Sequence, residues 1–320
     1  MGAVLLRRSV RALVVLLVLS ILISGLTHLI PGDPATIIAG EQGSPELRAQ
    51  IRTQLGLDRP FLTQYLDWLG RVLHGDFGTS LMDSRSVGTM IGDRLPVSLQ
   101  LAVMATVLAL LWGVTAGILA ATYRGRLLDV VLNGGAFVGV ATPPFVVGTL
   151  LVLLVSTVAP AWPVLSYVPF GEDPVRNLQA MLLPAFVLSI PFGAALCRYL
   201  RSSIVEIQSQ DFMRTAAAKG ASRWRMILRH ATRNALVPLL TATGLQFGVL
   251  VGGTVIIEQV FGLPGLGSLI VNSIVQHDFP VVQAAILTLG ATYVLLNLLV
   301  DLLYPVVDPR IRVTGVSHGR

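Results

Sequence analysis

The sequence predicts an all-α polytopic membrane protein of about six transmembrane helices, with an extracytoplasmic segment after the first. Three observations carry that prediction. Over 320 residues the chain is 53% hydrophobic and only 12% charged, roughly half the charged share of a soluble domain. Several apolar runs reach the ~20 residues needed to cross ~30 Å of hydrocarbon. The formal net charge of +6 collects in short segments between those runs, as topology requires of a polytopic chain. A nucleic-acid surface would gather it on one face, so no nucleic-acid partner is expected. The single cysteine, Cys197, forms no internal disulfide and leaves the redox compartment open.

The spans follow in order. Arg7, Arg8 and Arg11 stand around the start of "ALVVLLVLSILISGLTHLI". That stretch is too long for a signal-peptide core and no Ala-x-Ala site follows, so it reads as a retained first span, near 12–30. The others are expected near 97–123, 130–158, 178–197, 236–257 and 281–300. Pro143-Pro144 in "ATPPFVVG" should kink or break the third, because each proline removes a backbone donor. With the N-terminus inside, 16 of the 23 basic residues fall on the N-terminal tip, the Arg124/Arg126 turn, the Arg198 to Arg233 loop and the tail. The two short outer loops carry only Arg176. Both termini are therefore expected in the cytoplasm. The resulting division is 1–30 for the tip and first helix and 31–96 for the extracytoplasmic segment. A five-helix core with a cytoplasmic loop at 198–237 fills 97–305, and 306–320 is a cytoplasmic tail.

Within the external segment, "ELRAQIRTQLGL", "FLTQYLDWLGRVLHG" and "DFGTSL" read as short amphipathic helices. Leu66, Trp68, Leu69, Val72 and Leu73 form a face that lies either on the membrane or on the spans. In the fifth span Gly244, Gly248 and Gly252 are spaced four apart, a flat stripe for helix packing or a subunit interface.

The stretch "RTAAAKGASRWRMILRHATRNALVP" carries six basic residues and no acid. Burying six Arg or Lys at mid-membrane would cost on the order of 15–20 kcal/mol, so this segment is a cytoplasmic loop. Trp224, Ile227, Leu228 and Ala231 share one helical face, and Arg225, Arg229 and Arg233 another. Gly220 marks a turn between two helix-prone pieces. The segment either floats on anionic lipid or docks a partner. Lys219 is the only lysine and is followed by Gly220 and Ala221, so no Walker phosphate loop exists in the chain. Any ATPase driving it is a separate protein.

Other sites are thin. The five histidines show no metal-ligand spacing, and His277-Asp278 reads as a surface pair. Glu258 and Asp301 lie near span ends without an assignable role. Cys197 reads as a small buried residue. Paired acids or a Ser/His constellation, which an intramembrane enzyme needs, are missing. So are the mid-span ion-coupling residues or inverted repeat of a secondary transporter or stand-alone channel.

The chain resembles the permease subunits of binding-protein-dependent ABC importers, in the dipeptide, oligopeptide and nickel branch. The resemblance rests on "LIPGDPA", "QLGLDRPFLTQYLDWLGRVLHGDFGTSL", "TPPF", "DFMRTAAAKGASRWRMILRHATRNALVP", "GGTVIIEQVFGLPGLGSLIVNSIVQHDFPVVQ" and "LLVDLLYPVVDPRIR", in that order. It implies a type I importer permease fold. It also makes the basic loop an ATPase-coupling segment: Arg214, Thr215, Ala216, Ala217 and Lys219 lead to the turn at Gly220, and Ala221, Ser222 and Arg223 form the docking tip. The superfamily's Glu-Ala-Ala is replaced by Arg214-Thr215-Ala216, so any salt bridge of the Glu form is not carried over. The implied partners are a second permease in a heterodimer, two ATPase subunits that bind ATP and Mg, an external substrate-binding protein and the lipid bilayer. The chain itself is expected to hold no cofactor or metal. Peptides are the first expected cargo, with nickel chelates, glutathione or opines as alternatives. The expected site is the bacterial or archaeal cytoplasmic membrane.

Overall fold

The structure, a computed structural model, describes residues 2–29, 34–39 and 43–307. Its helices are α1 (Gly2–Leu29), α2 (Pro34–Ala39), α3 (Pro45–Leu55), α4 (Phe61–Leu73), α5 (Val87–Thr122), α6 (Leu127–Ala141) and α7 (Pro144–Val158). They continue with α8 (Pro174–Gln208), α9 (Asp211–Ala218), α10 (Arg223–Arg225), a π-helical segment (Met226–Ala231), α11 (Thr232–Val260), α12 (Leu266–Val275) and α13 (Phe279–Val307). Among the described residues the only strand-like pairing is an antiparallel bridge between Thr79 and Ser86. Two compact units emerge, 1–98 with 264–295 and 99–263 with 296–320. The expected tail from 308 onward and the side chains of Arg223 and Asp301 lie outside the described residues.

Among the described residues four helices are long and apolar enough to cross a membrane, at Arg7–Gly25, Val87–Thr122, Pro174–Gln208 and Phe279–Leu298. The pair α6 and α7 makes a fifth if counted as one broken span. The remaining expected span, 236–257, falls inside α11, whose described apolar run is Leu250–Val260. At Pro143-Pro144 the chain turns by 100°, a corner rather than a kink. Two adjacent residues without N–H groups interrupt the helical ladder, and Pro143 sits in extended backbone with ψ 129. Each arm has 15 residues, about 22 Å of helix, so neither arm alone spans ~30 Å of hydrocarbon.

In the first unit α3 starts on Ser44, whose hydroxyl accepts from the Leu47 amide, and stops at Gly56 in the left-handed region. Helix α4 buries Tyr65 and Trp68, and the Tyr65 hydroxyl lies 2.9 Å from Ser20 of α1. Val87, Met90 and Ile91 of α5 pack with Leu266 and Ile270 of α12 and with Val281, Ala284 and Ala285 of α13. That packing explains why α5 begins ten residues before the expected start at 97. The i, i+3, i+4 apolar face carries the helix through Pro96, which looked like a boundary.

The "DFGTSL" stretch is not a helix. Gly78 adopts φ +82, its amide donates to the Asp76 carboxylate at 2.8 Å, and Val87 N–H returns to its carbonyl at 3.0 Å. Asp and Gly at this spacing favour a turn over a helix. The turn aims Ser80 and the Leu81 amide at Asp278, which accepts from both. Asp278 is buried, so the expected surface pair at His277-Asp278 is corrected. Its carboxylate closes the turn and its carbonyl accepts from Val282 in the first turn of α13.

The second unit is organised around α8, which packs against α6, α7 and α11. Close approach depends on small residues. A Cβ on Gly113 of α5 would come within 2.5 Å of the Gly193 carbonyl oxygen, and one on Gly117 within 2.9 Å of the Cys197 carbonyl oxygen. On α6, a Cβ on Gly139 would press on Ala194 at 3.1 Å. Cys197 is fully buried in this seam. On α11 it is Gly253 that approaches α8, through Leu188 at 2.9 Å, while a Cβ on Gly252 would meet nothing within 4 Å. Gly244 and Gly248 are half-buried.

Candidate functional site

The basic hairpin is built from α8, α9 and the α10 to α11 stretch. Helix α8 runs 35 residues, about 52 Å, so it continues well past the expected span end at 197 and carries the hairpin on its C-terminal end. It stops at Ser209, and Gln210 and Asp211 open α9.

The hairpin's turn has an explicit local logic. Gly220 N–H donates to Ala217 at 2.9 Å and Ala221 N–H to Ala216 at 3.2 Å, with Gly220 at φ +77. These two bonds form a Schellman cap, which satisfies the last carbonyls of α9 and needs a residue free to enter the left-handed region. Ala216, Ala217, Gly220 and Ala221 thus have structural roles in one turn. Ser222 follows, its carbonyl accepting from Met226 N–H at 2.9 Å, which starts the next helical stretch at Arg223.

Met213 and Ile227 are buried and hold the hairpin against itself. Between them lies a cavity of about 360 Å³ lined by Gln208, Met213, Arg214, Ala217, Met226 and Ile227. Thr215, Ala217, Lys219, Gly220 and Ser222 are exposed. Trp224 and Leu228 are exposed as well, while Ile227 and Ala231 are buried. The four were expected on one face. The π-helical turn, with its wider repeat, helps to split them between a buried row and an exposed one. The hairpin thereby presents Phe212, Trp224 and Leu228 among Arg214, Arg225 and Arg229. An exposed apolar cluster rimmed with charge is the composition of a protein-docking surface.

The anchor behind the hairpin was not legible in the sequence. Asp129, in the first turn of α6, takes a bidentate pair from Arg201 of α8, with Nε at 2.5 Å and Nη2 at 2.8 Å. The Gly125 amide donates to the same carboxylate at 2.9 Å. One helical turn away, the Arg198 guanidinium lies 3.8 Å from the centre of the Phe137 ring. Both arginines were counted only as loop charges. An Asp two residues into an apolar run is the one signal that pointed to a partner.

Glu258 is fully buried on α11. Among the described residues no group of three or more His, Cys, Asp or Glu is placed to hold a metal ion.

Residues 113–313 match the family model for the inner membrane component of binding-protein-dependent transport systems, and residues 1–102 match the model for the N-terminal region of such components. The chain belongs to the permease family of binding-protein-dependent ABC importers, in its peptide branch. A Brucella abortus protein named as a peptide transport system permease is 42% identical over 312 residues, covering 98% of this chain and 99% of the relative. A Sinorhizobium fredii protein named as a peptide ABC transporter permease is 39% identical over 312 residues, covering 98% and 100%. A glutathione transport system permease of Salmonella typhimurium is 39% identical over 308 residues, covering 96% and 98%. This family membership and the apolar helices make the chain a multi-pass membrane permease of a transport system.

Proposed function

We propose that this permease carries di- or oligopeptides into the cytoplasm by alternating access, driven by ATP hydrolysis on separate subunits. The observation that carries the coupling is the hairpin itself: an exposed, Schellman-capped tip flanked by Phe212, Trp224 and Leu228. Arg214, Thr215, Ala216, Ala217, Lys219, Gly220, Ala221, Ser222 and Arg223 form the segment that seats on an ATPase. Force on the tip enters α8 directly and reaches α6 through Arg201 and Asp129.

The complete translocase in this reading has a second, related permease, two ATPase subunits holding ATP and Mg, and an external substrate-binding protein. The Gly244, Gly248 and Gly252 stripe, where a Cβ on Gly252 would meet nothing within 4 Å among the described residues, suits an interface with the second permease. The membrane is the bacterial cytoplasmic membrane, with both termini inside. The peptide reading is favoured by relatives named for peptide transport, and glutathione, itself a short peptide-like cargo, is the second reading through the relative named for it.

The test is ATP hydrolysis by the assembled complex in lipid discs, with binding protein present, and with a peptide mixture or glutathione added. Peptide-dependent stimulation is expected, and stimulation by glutathione alone would transfer the assignment to the second reading. In the same assay Gly220→Pro should insert and assemble yet lose stimulation. Proline cannot adopt φ +77 and fixes φ near −65°. Undiminished stimulation in that variant would sink the coupling role.

A further inference from the structure

Helix α4 has two apolar rows, and among the described residues one packs through its middle while the other is mostly bare. At about 100° per residue, Phe61, Tyr65, Trp68 and Val72 fall on one row, and Leu62, Leu66, Leu69 and Leu73 on a second about 100° away. The remaining arc holds Thr63, Asp67, Arg71 and His74. The first row packs through its middle: Tyr65 and Trp68 are buried, their rings 6.2 Å apart, and the Tyr65 hydroxyl meets Ser20 of α1, while Phe61 at its start is exposed. The second row is mostly bare: Leu62 is 63% exposed, Leu66 55% and Leu73 76%, with Leu69 half-buried. Thr63, Asp67, Arg71 and His74 are exposed on the polar arc, with Asp67 paired to Arg59 at 3.1 Å.

The contact with α1 sets what lies around the bare row. The described apolar run of α1 is Arg7–Gly25, in a helix that continues to Leu29, and Ser20 lies in the half of that run toward Gly25. Interfacial amphipathic helices bury their apolar face ~5–10 Å into the boundary between headgroups and acyl chains, and Tyr and Trp collect at that level. On α1, Leu13 sits one heptad below Ser20 on the same face and is 69% exposed. The cover that α4 provides therefore stops short of Leu13, which is left bare on the same face. Leu17 and Ile21, beside Ser20, are exposed too, so the bare row of α4 continues an apolar surface of α1 that already requires lipid.

We propose that α4 is an interfacial anchor, with Leu62, Leu66 and Leu73 inserted in the leaflet beside the Gly25 half of α1 and half-buried Leu69 next to them. The polar arc then faces water and the Tyr65 to Ser20 bond fixes the helix against the span. Two rows at right angles are what a helix needs in the corner between a span and a lipid surface. A helix capping a bundle needs only one. The inference rests on the membrane placement of α1 and is independent of cargo and of ATPase coupling.

The test uses the full chain in lipid discs with Cys197→Ala as background and single cysteines at Leu62, Leu66, Leu73, Thr63 or Arg71, each carrying an environment-sensitive fluorophore. Nitroxide-labelled lipid should quench the three leucine positions several-fold more than aqueous iodide does, and the order should invert at Thr63 and Arg71. Iodide quenching at Leu66 and Leu73 equal to that at Arg71 would overturn the proposal in favour of a solvent-facing helix. Shielding of those positions from both quenchers, in the chain alone or after the sister permease or binding protein is added, would overturn it in favour of a protein partner. Thr63 and Arg71 report folding in the same experiment, because a misfolded α4 loses the contrast between its faces.

Discussion

Two aspartates are buried in this chain by opposite means. Asp129 sits under a bidentate guanidinium, with Arg201 at 2.5 and 2.8 Å. Asp278 is held by neutral donors, the Ser80 hydroxyl and the Leu81 amide, at the start of α13, where the helix dipole favours a negative charge. Among the described residues no cationic side chain pairs with Asp278. The first arrangement ties the short α6 to the long α8 at the root of the basic hairpin. The second closes a turn onto a helix start. A charge pair links side chains of α6 and α8, and its parts can be exchanged or removed together. Hydrogen bonds from a loop amide and hydroxyl fix the backbone itself. On the proposed coupling role, the charge pair suits an element that transmits a push, and the loop hydrogen bonds suit one that holds its place.

That contrast is easiest to break at Arg201. Arg201→Met leaves Asp129 buried without its counter-charge, and losing one partner of such a pair costs about 3–5 kcal/mol. Thermal unfolding in detergent should show a larger downward shift for this variant than for a substitution at Asp278 or in the hairpin. Adding Asp129→Leu should recover most of it, since a well-packed apolar pair replaces a buried ion pair at little cost. A single variant that melts with wild type would mean the pair is solvated and carries no load. At the other end Asp278→Ala strands one hydroxyl and one amide, an effect of about 1–3 kcal/mol. Asp278→Asn, which keeps a carbonyl acceptor, should lose less. Hydrogen exchange at the Leu81 amide reads this directly: it should speed up in the Ala variant and change little in Asn.

The sequence made the helical architecture legible through apolar run length, a property of many residues that no single contact can overturn, and through Pro143-Pro144, two adjacent residues that both lack an N–H. Helix ends were less legible. Pro96 and Arg198 looked like boundaries, yet packing of Val87 and Ile91 carried α5 through one, and the Asp129 pair carried α8 past the other. At the hairpin, Gly220 was readable because a left-handed residue after an alanine-rich helix has one common use. The exposure of Trp224 and Leu228 was not readable, because a helical wheel assumes 3.6 residues per turn and this stretch holds a π-helical turn. Asp278 was misread for a different reason. Its partners lie almost two hundred residues earlier, and neither Ser80 nor an amide marks itself as a partner in sequence.

The smallest expected effect tests whether the hairpin belongs on the charged side of that contrast at all. Asp211 and Arg214 approach to 3.4 Å, and both side chains are almost fully exposed. Exposed pairs three residues apart contribute about 0.2–0.5 kcal/mol, and Asp211 also sits in the first turn of α9, where an acid adds a few tenths more. Asp211→Asn should therefore shift unfolding barely above error and leave substrate-stimulated ATP hydrolysis intact. The hairpin is held instead by Met213 and Ile227 and by its cap, none of which carries charge. Raising salt from low to molar concentration should likewise leave the melting of wild type almost unmoved by this pair. A large loss of stability in Asp211→Asn would show that the tip is locked electrostatically, as the base is through Asp129. The charges on its exposed face would then stabilise the fold first, and be available to a docking partner only second.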